Sequence, residues 1–264
     1  MKYTYEQLAR MIDHSLLHPT MTDRELEDGC RLAAKYGVAS VCIKPYAVKR
    51  AAELLRGSGV LVGAVVGFPH GSSATESKRY ETELACRDGA AEIDMVINVG
   101  KALSGDWDYV ERDIKAVCDE AHCHSAKVKV IFENDYLTQG GAGLSSDDFK
   151  RRLCQICERA GADWVKTSTG YGFVKQADGR YNYKGATEHD LALMRASCSP
   201  RVQVKAAGGV RDLDGLIQVR ELGATRCGAT ATAAMLDEYR RREEAERTGE
   251  VKAAVSGELG QGGY

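Results

Sequence analysis

Gly161-Ala162-Asp163-Trp164-Val165-Lys166-Thr167-Ser168-Thr169-Gly170 carries the pattern that decides the fold. A glycine closes a helical stretch, a small residue follows, a short apolar strand begins, and a glycine-bearing loop ends it. Glycine suits the left-handed conformation with which helices commonly terminate. The signature recurs as Gly37-Val38 before Ser40–Ile43, as Gly89-Ala90 before Glu92–Asn98 and as Gly223-Ala224 before Thr225–Gly228. Further strand patterns lie at Val60–Phe68, Val128–Glu133 and Val202–Ala206, with a weak one at Met11–His14 ahead of them all.

Eight strands alternating with helices over 264 residues predict an α/β protein, a single-domain (β/α)8 TIM barrel. A doubly wound open sheet is the alternative, weakened because no GxGxxG follows the first strand. Helix starts support the alternation. Thr22-Asp-Arg-Glu25 reads as a capping box, Ser145 precedes Asp147-Asp148, and a helix is expected to be capped near Asp212. The barrel is expected over 1–236. Residues 237–264 read as a charged helix and a flexible glycine-rich tail ending in Tyr264.

The composition is that of an ordinary soluble globule: 44% hydrophobic, 28% charged, net charge −2. No basic surplus points to nucleic acid, and no apolar run reaches the ~18 residues of a membrane helix. The first residues, Met-Lys-Tyr-Thr-Tyr-Glu-Gln-Leu, lack a signal peptide's apolar core, so a cytoplasmic location is expected. The nine cysteines lack disulfide-framework spacing and read as reduced thiols. Cys154-Gln-Ile-Cys157 falls in an amphipathic helix without a second CxxC, which favours a structural role. His122-Cys123-His124 sits in a helix-to-strand connection with no evident carboxylate, so no metal is expected there.

Strand parity sorts the polar residues, because successive side chains point to opposite faces. In 92–98 the apolar set Ile93, Met95 and Ile97 faces the helices, which turns Glu92, Asp94 and Asn98 inward. The same rule sends Cys42, Lys129, Glu133, Trp164, Lys166, Gln203 and Lys205 inward. A barrel core is normally filled with branched apolar residues. Ionisable groups there are costly unless paired or functional. A lysine stripped of water beside another cation loses its proton readily and becomes a nucleophile for a carbonyl carbon. Lys166 and Lys205 therefore suggest imine chemistry, with a self-neutralising ion network as the bland alternative.

A second cluster suits phosphate. The seventh strand runs into Gly208-Gly209-Val210-Arg211, the eighth into Gly228-Ala229-Thr230, and the sixth into Ser168-Thr169-Gly170. Glycines let backbone N–H groups approach an anion, and barrels often bind phosphate after strands seven and eight.

Taken together, these stretches resemble the deoxyribose-phosphate aldolase family of class I aldolases. The matching pieces are Ile12–Leu17, Val41–Pro45, Gly67–Gly71, Glu92–Asn98, Lys129–Glu133, Val165–Gly170 and Lys205–Arg211, in order along nearly the whole chain. The resemblance implies reversible cleavage of 2-deoxy-D-ribose 5-phosphate to acetaldehyde and D-glyceraldehyde 3-phosphate. It casts Lys166 as the Schiff-base lysine, Lys205 as the neighbouring cation and Asp94 as the acid/base carboxylate. Asp13, Lys129 and Cys42 would support them, and Tyr264 would assist proton transfer. Thr169, Gly170, Gly208, Gly209, Arg211, Gly228 and Thr230 are the expected phosphate contacts. It further implies a homodimer acting on small phosphorylated sugars and aldehydes, with no cofactor and no metal. The chain departs from the family pattern at Tyr171, where some members carry lysine, at Thr230-Ala231, where some carry two serines, and at Asn134, where threonine is usual. Rival readings are a phosphosugar isomerase using Glu133 as base, a class I aldolase of another aldehyde pair, and a non-catalytic binding barrel.

Overall fold

The computed structural model describes residues 1–176 and 178–249. Eight parallel strands close into a barrel: β1 (Ile12–Leu16), β2 (Ser40–Ile43), β3 (Leu61–Val66), β4 (Glu92–Val96), β5 (Lys127–Ile131), β6 (Trp164–Lys166), β7 (Gln203–Ala207) and β8 (Ala224–Ala229). They neighbour one another in chain order, and β8 returns to β1. The helices are α1 (Tyr5–Ala9), α2 (Asp23–Tyr36), α3 (Val48–Leu54), α4 (Thr75–Arg87), α5 (Val99–Leu103), α6 (Trp107–Cys123), α7 (Ser146–Ala160), α8 (Glu188–Ser197), α9 (Leu213–Glu221) and α10 (Thr232–Thr248). The TIM barrel expected from the alternation is the fold observed.

Local chemistry explains where the helices begin and end. Thr22 and Glu25 form the capping box of α2, Ser145 accepts from Asp148 N–H to start α7, and Asp212 accepts from Gly215 N–H to start α9. Gly37 and Gly161 close α2 and α7 in the left-handed conformation. The outward residues Val41, Ile93, Met95, Val128, Val130, Val165 and Val204 are fully buried under the helical shell. Each such side chain contributes roughly 1.5–3 kcal/mol of burial. Two buried ion pairs stitch the shell, Lys78–Asp113 and Lys150–Asp190, each at 2.6 Å.

Three details differ from the sequence expectation. The helix expected from Asp237 begins five residues earlier, at Thr232, because Met235, Leu236 and Tyr239 of α10 are buried against the barrel. Asn98 does not enter the interior; its side chain caps α5, accepting from Lys101 N–H. Between β6 and α8 the chain forms an unanticipated antiparallel ribbon, Val174–Lys175 with Tyr181–Asn182. Its strands are only two residues long, too short for an alternation signal.

Candidate active site

Register brings the interior charges together. Asp94 pairs across β4–β5 with Lys129, and Lys166 across β6–β7 with Lys205. All four side chains are buried and face the barrel axis. The Asp94 Oδ2 atom accepts from Lys166 Nζ and Lys205 Nζ, both at 2.7 Å, and Cys42 Sγ approaches it at 3.7 Å. Lys129 Nζ reaches Asp94 Oδ1 at 3.1 Å, Asp13 Oδ2 at 3.1 Å and Glu92 Oε2 at 2.5 Å. Asp13 Oδ2 also takes Lys205 at 2.6 Å, and its Oδ1 takes Ser40 at 2.8 Å and Arg226 at 2.7 Å. Arg226 closes the circuit on Glu92. Trp164 floors the cluster with the Lys129 and Arg226 cations 5.8 and 5.5 Å from its ring centroid, and its Nε1 donates to Thr225.

The charge balance favours a neutral Lys166. Asp13, Glu92 and Asp94 are three carboxylates; Lys129, Lys205 and Arg226 are three cations bonded to them. The circuit is neutral without Lys166, and a further unbalanced buried charge is costly. Burial lowers the Lys166 pKa, Lys205⁺ lowers it further, and the pull of Asp94 does not restore it. Burial thus outranks the like-charge repulsion invoked from sequence. Burial also opposes the charge on Lys205, but Asp13 and Asp94 hold its ammonium well above its ordinary range. Burial raises the Asp94 carboxyl, yet the Lys129 and Lys205 cations and the Lys166 hydrogen bond overcome it and keep it well below the carboxylate range. The Cys42 thiol is pushed up to about 11, first by burial and then by Asp94, so it stays protonated.

A cavity of about 380 Å³ opens above this circuit at the C-terminal rim. Lys166 and Lys205 form its base, and Thr169, Gly170, Gly208, Gly209, Arg211, Gly228 and Thr230 line its wall with Tyr183 and Ala231. The expected phosphate residues are thus gathered on one side of the lysine pair. Gly208 and Gly209 sit at φ 87° and 85°, and the N-terminus of α10, uncapped by any side chain at Ala231, points into the same wall.

Thr169 lines the cavity, but its own donors are engaged by Glu133. Its N–H donates to the Glu133 carboxylate at 3.2 and 3.3 Å, and its hydroxyl donates to Glu133 Oε2. Glu133 itself lies beyond β5, in a left-handed turn at φ 57°, rather than on the strand. Burial pushes its carboxyl up to about 7, despite the Thr169 hydrogen bonds. Tyr264 lies outside the described residues. His122, in the last turn of α6, meets Asp163 at 3.0 Å, and His124 meets Glu120 at 3.4 Å, so carboxylates do lie nearby. Among the described residues no three His, Cys, Asp or Glu side chains are grouped to hold a metal ion. Cys154 and Cys157 are free thiols buried in α7.

Sequence reasoning overlooked Arg226 and Tyr183. Arg226 was legible: Cys227 is fully buried on the outward face, so parity turns Arg226 inward. Tyr183 had no such signal, because it belongs to the loop that builds the ribbon.

A closed (β/α)8 barrel with an interior lysine pair under a glycine-rimmed cavity defines a barrel enzyme, its site at the C-terminal ends of the strands. The chain belongs to the DeoC/LacD family of aldolases, whose family model matches residues 8–237. It is 50% identical over 239 residues to a deoxyribose-phosphate aldolase of Rhodopirellula baltica, covering 90% of this chain and 92% of that one. It is 46% identical to deoxyribose-phosphate aldolase 1 of Bacillus licheniformis, over 86% of this chain and 93% of the relative. The solved deoxyribose phosphate aldolase of Aeropyrum pernix superposes with a TM-score of 0.76 at 29% identity, covering 90% of this chain and 92% of that one.

Proposed function

We propose that this chain is a class I aldolase that reversibly cleaves 2-deoxy-D-ribose 5-phosphate to acetaldehyde and D-glyceraldehyde 3-phosphate. The observation that carries the reading is a buried lysine amine left outside a neutral ion circuit, 2.7 Å from a carboxylate. Neutral Lys166 attacks the C1 aldehyde of the open-chain sugar. The carbinolamine loses water and becomes a protonated imine, which acts as the electron sink. The C2–C3 bond breaks, its electron pair enters the enamine, and the C3 hydroxyl proton passes to Asp94 directly or through a water. Asp94 is a weak base while ammonium groups flank it, which favours the route through water. The enamine is then protonated at its terminal carbon, and hydrolysis of the imine frees acetaldehyde and Lys166. Tyr264 is the proposed donor to that carbon.

Lys205⁺ fixes Asp94 and disfavours a second charge at Lys166, while Asp13, Lys129 and Cys42 complete the support. The glycine rim, Arg211 and the α10 N-terminus are the proposed seat of the 5-phosphate. The imine makes a Lewis-acid metal unnecessary, so turnover is expected to survive a strong chelator. We further propose a cytoplasmic homodimer with no nucleic-acid partner. The Aeropyrum pernix relative is described as a tetramer, so light scattering in solution decides the stoichiometry. Among the described residues no helix is long and apolar enough to cross a membrane.

The test is a coupled assay for acetaldehyde released from deoxyribose 5-phosphate, run with the intact enzyme and Lys166→Ala. No acetaldehyde from the intact enzyme, or equal turnover by the variant, rejects the reading.

A further inference from the structure

The residue that follows the ribbon between β6 and α8 contributes a side chain to the cavity, and nothing in the reaction as described assigns it a task. Tyr183 is 4% exposed, and its ring lines the cavity. Phe173 braces the ring edge-on at a centroid distance of 5.3 Å. The ring edge beside the hydroxyl lies over Gly208: a Cβ built there would sit 3.3 Å from Tyr183 Cε2. The next two residues are anchored rather than loose. The buried Asp135 carboxylate accepts from Lys184 N–H at 2.6 Å and from Gly185 N–H at 3.0 Å. Gly185 in turn packs against the backbone of Gly208, and Ala186 N–H donates to Gly208 O at 3.1 Å.

The Tyr183 hydroxyl makes no hydrogen bond to another described residue, and although the residue as a whole is largely buried the hydroxyl is not among the enclosed polar atoms. A phenol in that position ordinarily finds a partner. The open cavity beside Gly208 is the place where one can sit. The amides of Gly208 and Gly209 likewise donate to no described residue. Thr169, whose hydroxyl would otherwise serve the same wall, is held by Glu133.

We propose that Tyr183 is a specificity-determining residue whose hydroxyl donates a hydrogen bond to the phosphate monoester of the substrate, beside the Gly208-Gly209 amides. The proposal rests on the aldolase reading for its substrate. The segment that follows the ribbon is thereby a wall of the active site that replaces the donor lost at Thr169. An uncharged donor there would act beside Arg211, which lines the same wall.

Tyr183→Phe keeps the ring, its packing on Phe173 and its contact with Gly208, and removes only the hydroxyl. A hydrogen bond to a charged group predicts a rise in KM for deoxyribose 5-phosphate of roughly tenfold or more, with kcat little changed. The kcat/KM for unphosphorylated deoxyribose is expected to stay constant, so preference for the phosphorylated sugar falls by the same factor. Equal losses on both sugars, or no loss on either, overturn the proposal. If the intact enzyme cleaves neither sugar, the aldolase reading fails, and calorimetric titration decides this inference separately. Weaker binding of both inorganic phosphate and glyceraldehyde 3-phosphate by Tyr183→Phe supports it. Unchanged binding of both, or a weakening confined to inorganic phosphate, overturns it.

Discussion

Lys166 and Lys205 donate to the same oxygen of Asp94 at the same distance, 2.7 Å, yet they carry opposite protonation tendencies. The difference lies in their second partners. Lys205 also holds Asp13 at 2.6 Å, whereas Lys166 pairs with no second carboxylate among the described residues and faces the cavity. Borohydride added with acetaldehyde should therefore label Lys166 and leave Lys205 unmodified, as read by peptide mass mapping. Lys166→Ala should lower kcat by at least about a thousandfold, the scale on which loss of a covalent nucleophile acts. A label on Lys205 would exchange the two roles.

Asp94→Asn separates bond making from bond breaking. The substitution removes the group that raises the Lys166 pKa, so imine formation should persist under borohydride. Retro-aldol turnover should fall by roughly 10²–10⁴, the usual worth of a general acid/base group. Loss of trapping together with turnover would show that Asp94 serves imine formation instead.

Arg226 touches Asp13 and Glu92 below the cavity and lies apart from its lining. Arg226→Met should cost roughly 3–5 kcal/mol of stability, because two buried carboxylates lose a partner. For a chain of this size that lowers Tm by roughly 6–20 °C. Thermal unfolding followed by circular dichroism checks it, and an unchanged Tm would mean the circuit tolerates the gap.

Glu133 gives stability a pH dependence of defined sign. Burial pushes its folded-state pKa up to about 7 from the ordinary 4.5. Between these values the folded protein holds a proton that the unfolded chain has released. Stability should therefore fall as pH rises across this window, with the full cost present above it. Glu133→Gln carries no titrating proton. Its Tm relative to the unsubstituted protein should climb from pH 5 to pH 8, and a constant difference would place the ionisation elsewhere.

Much of the barrel was legible because each strand repeats one local arrangement: a helix-closing glycine, alternating faces, a loop. Parity alone placed Asp94, Lys129, Lys166 and Lys205 in one interior, since each sits among apolar neighbours whose outward packing leaves no other direction. It failed where the backbone leaves the extended conformation. Asn98 follows a strand end, and there a helix cap replaces alternation. The engagement of Thr169 was not readable, because its acceptor comes from the neighbouring strand's turn. Tyr183 was invisible for a related reason: a two-residue strand pair has no period to detect, and its anchor, Asp135, is 49 positions away from Lys184.

The interlocked ions under the cavity also bear on how this enzyme could change. Lys129, Lys205 and Arg226 each serve at least two acids, so no single member can be exchanged without stranding others. That foundation is inherited as a block, and selection for new aldehydes will find almost no viable single steps within it. The tolerant ground is the mouth, where Leu17 and Ala231 line the cavity without belonging to the ionic lattice. Directed evolution confined to those positions should yield altered acceptor range while the chemistry beneath them stays untouched.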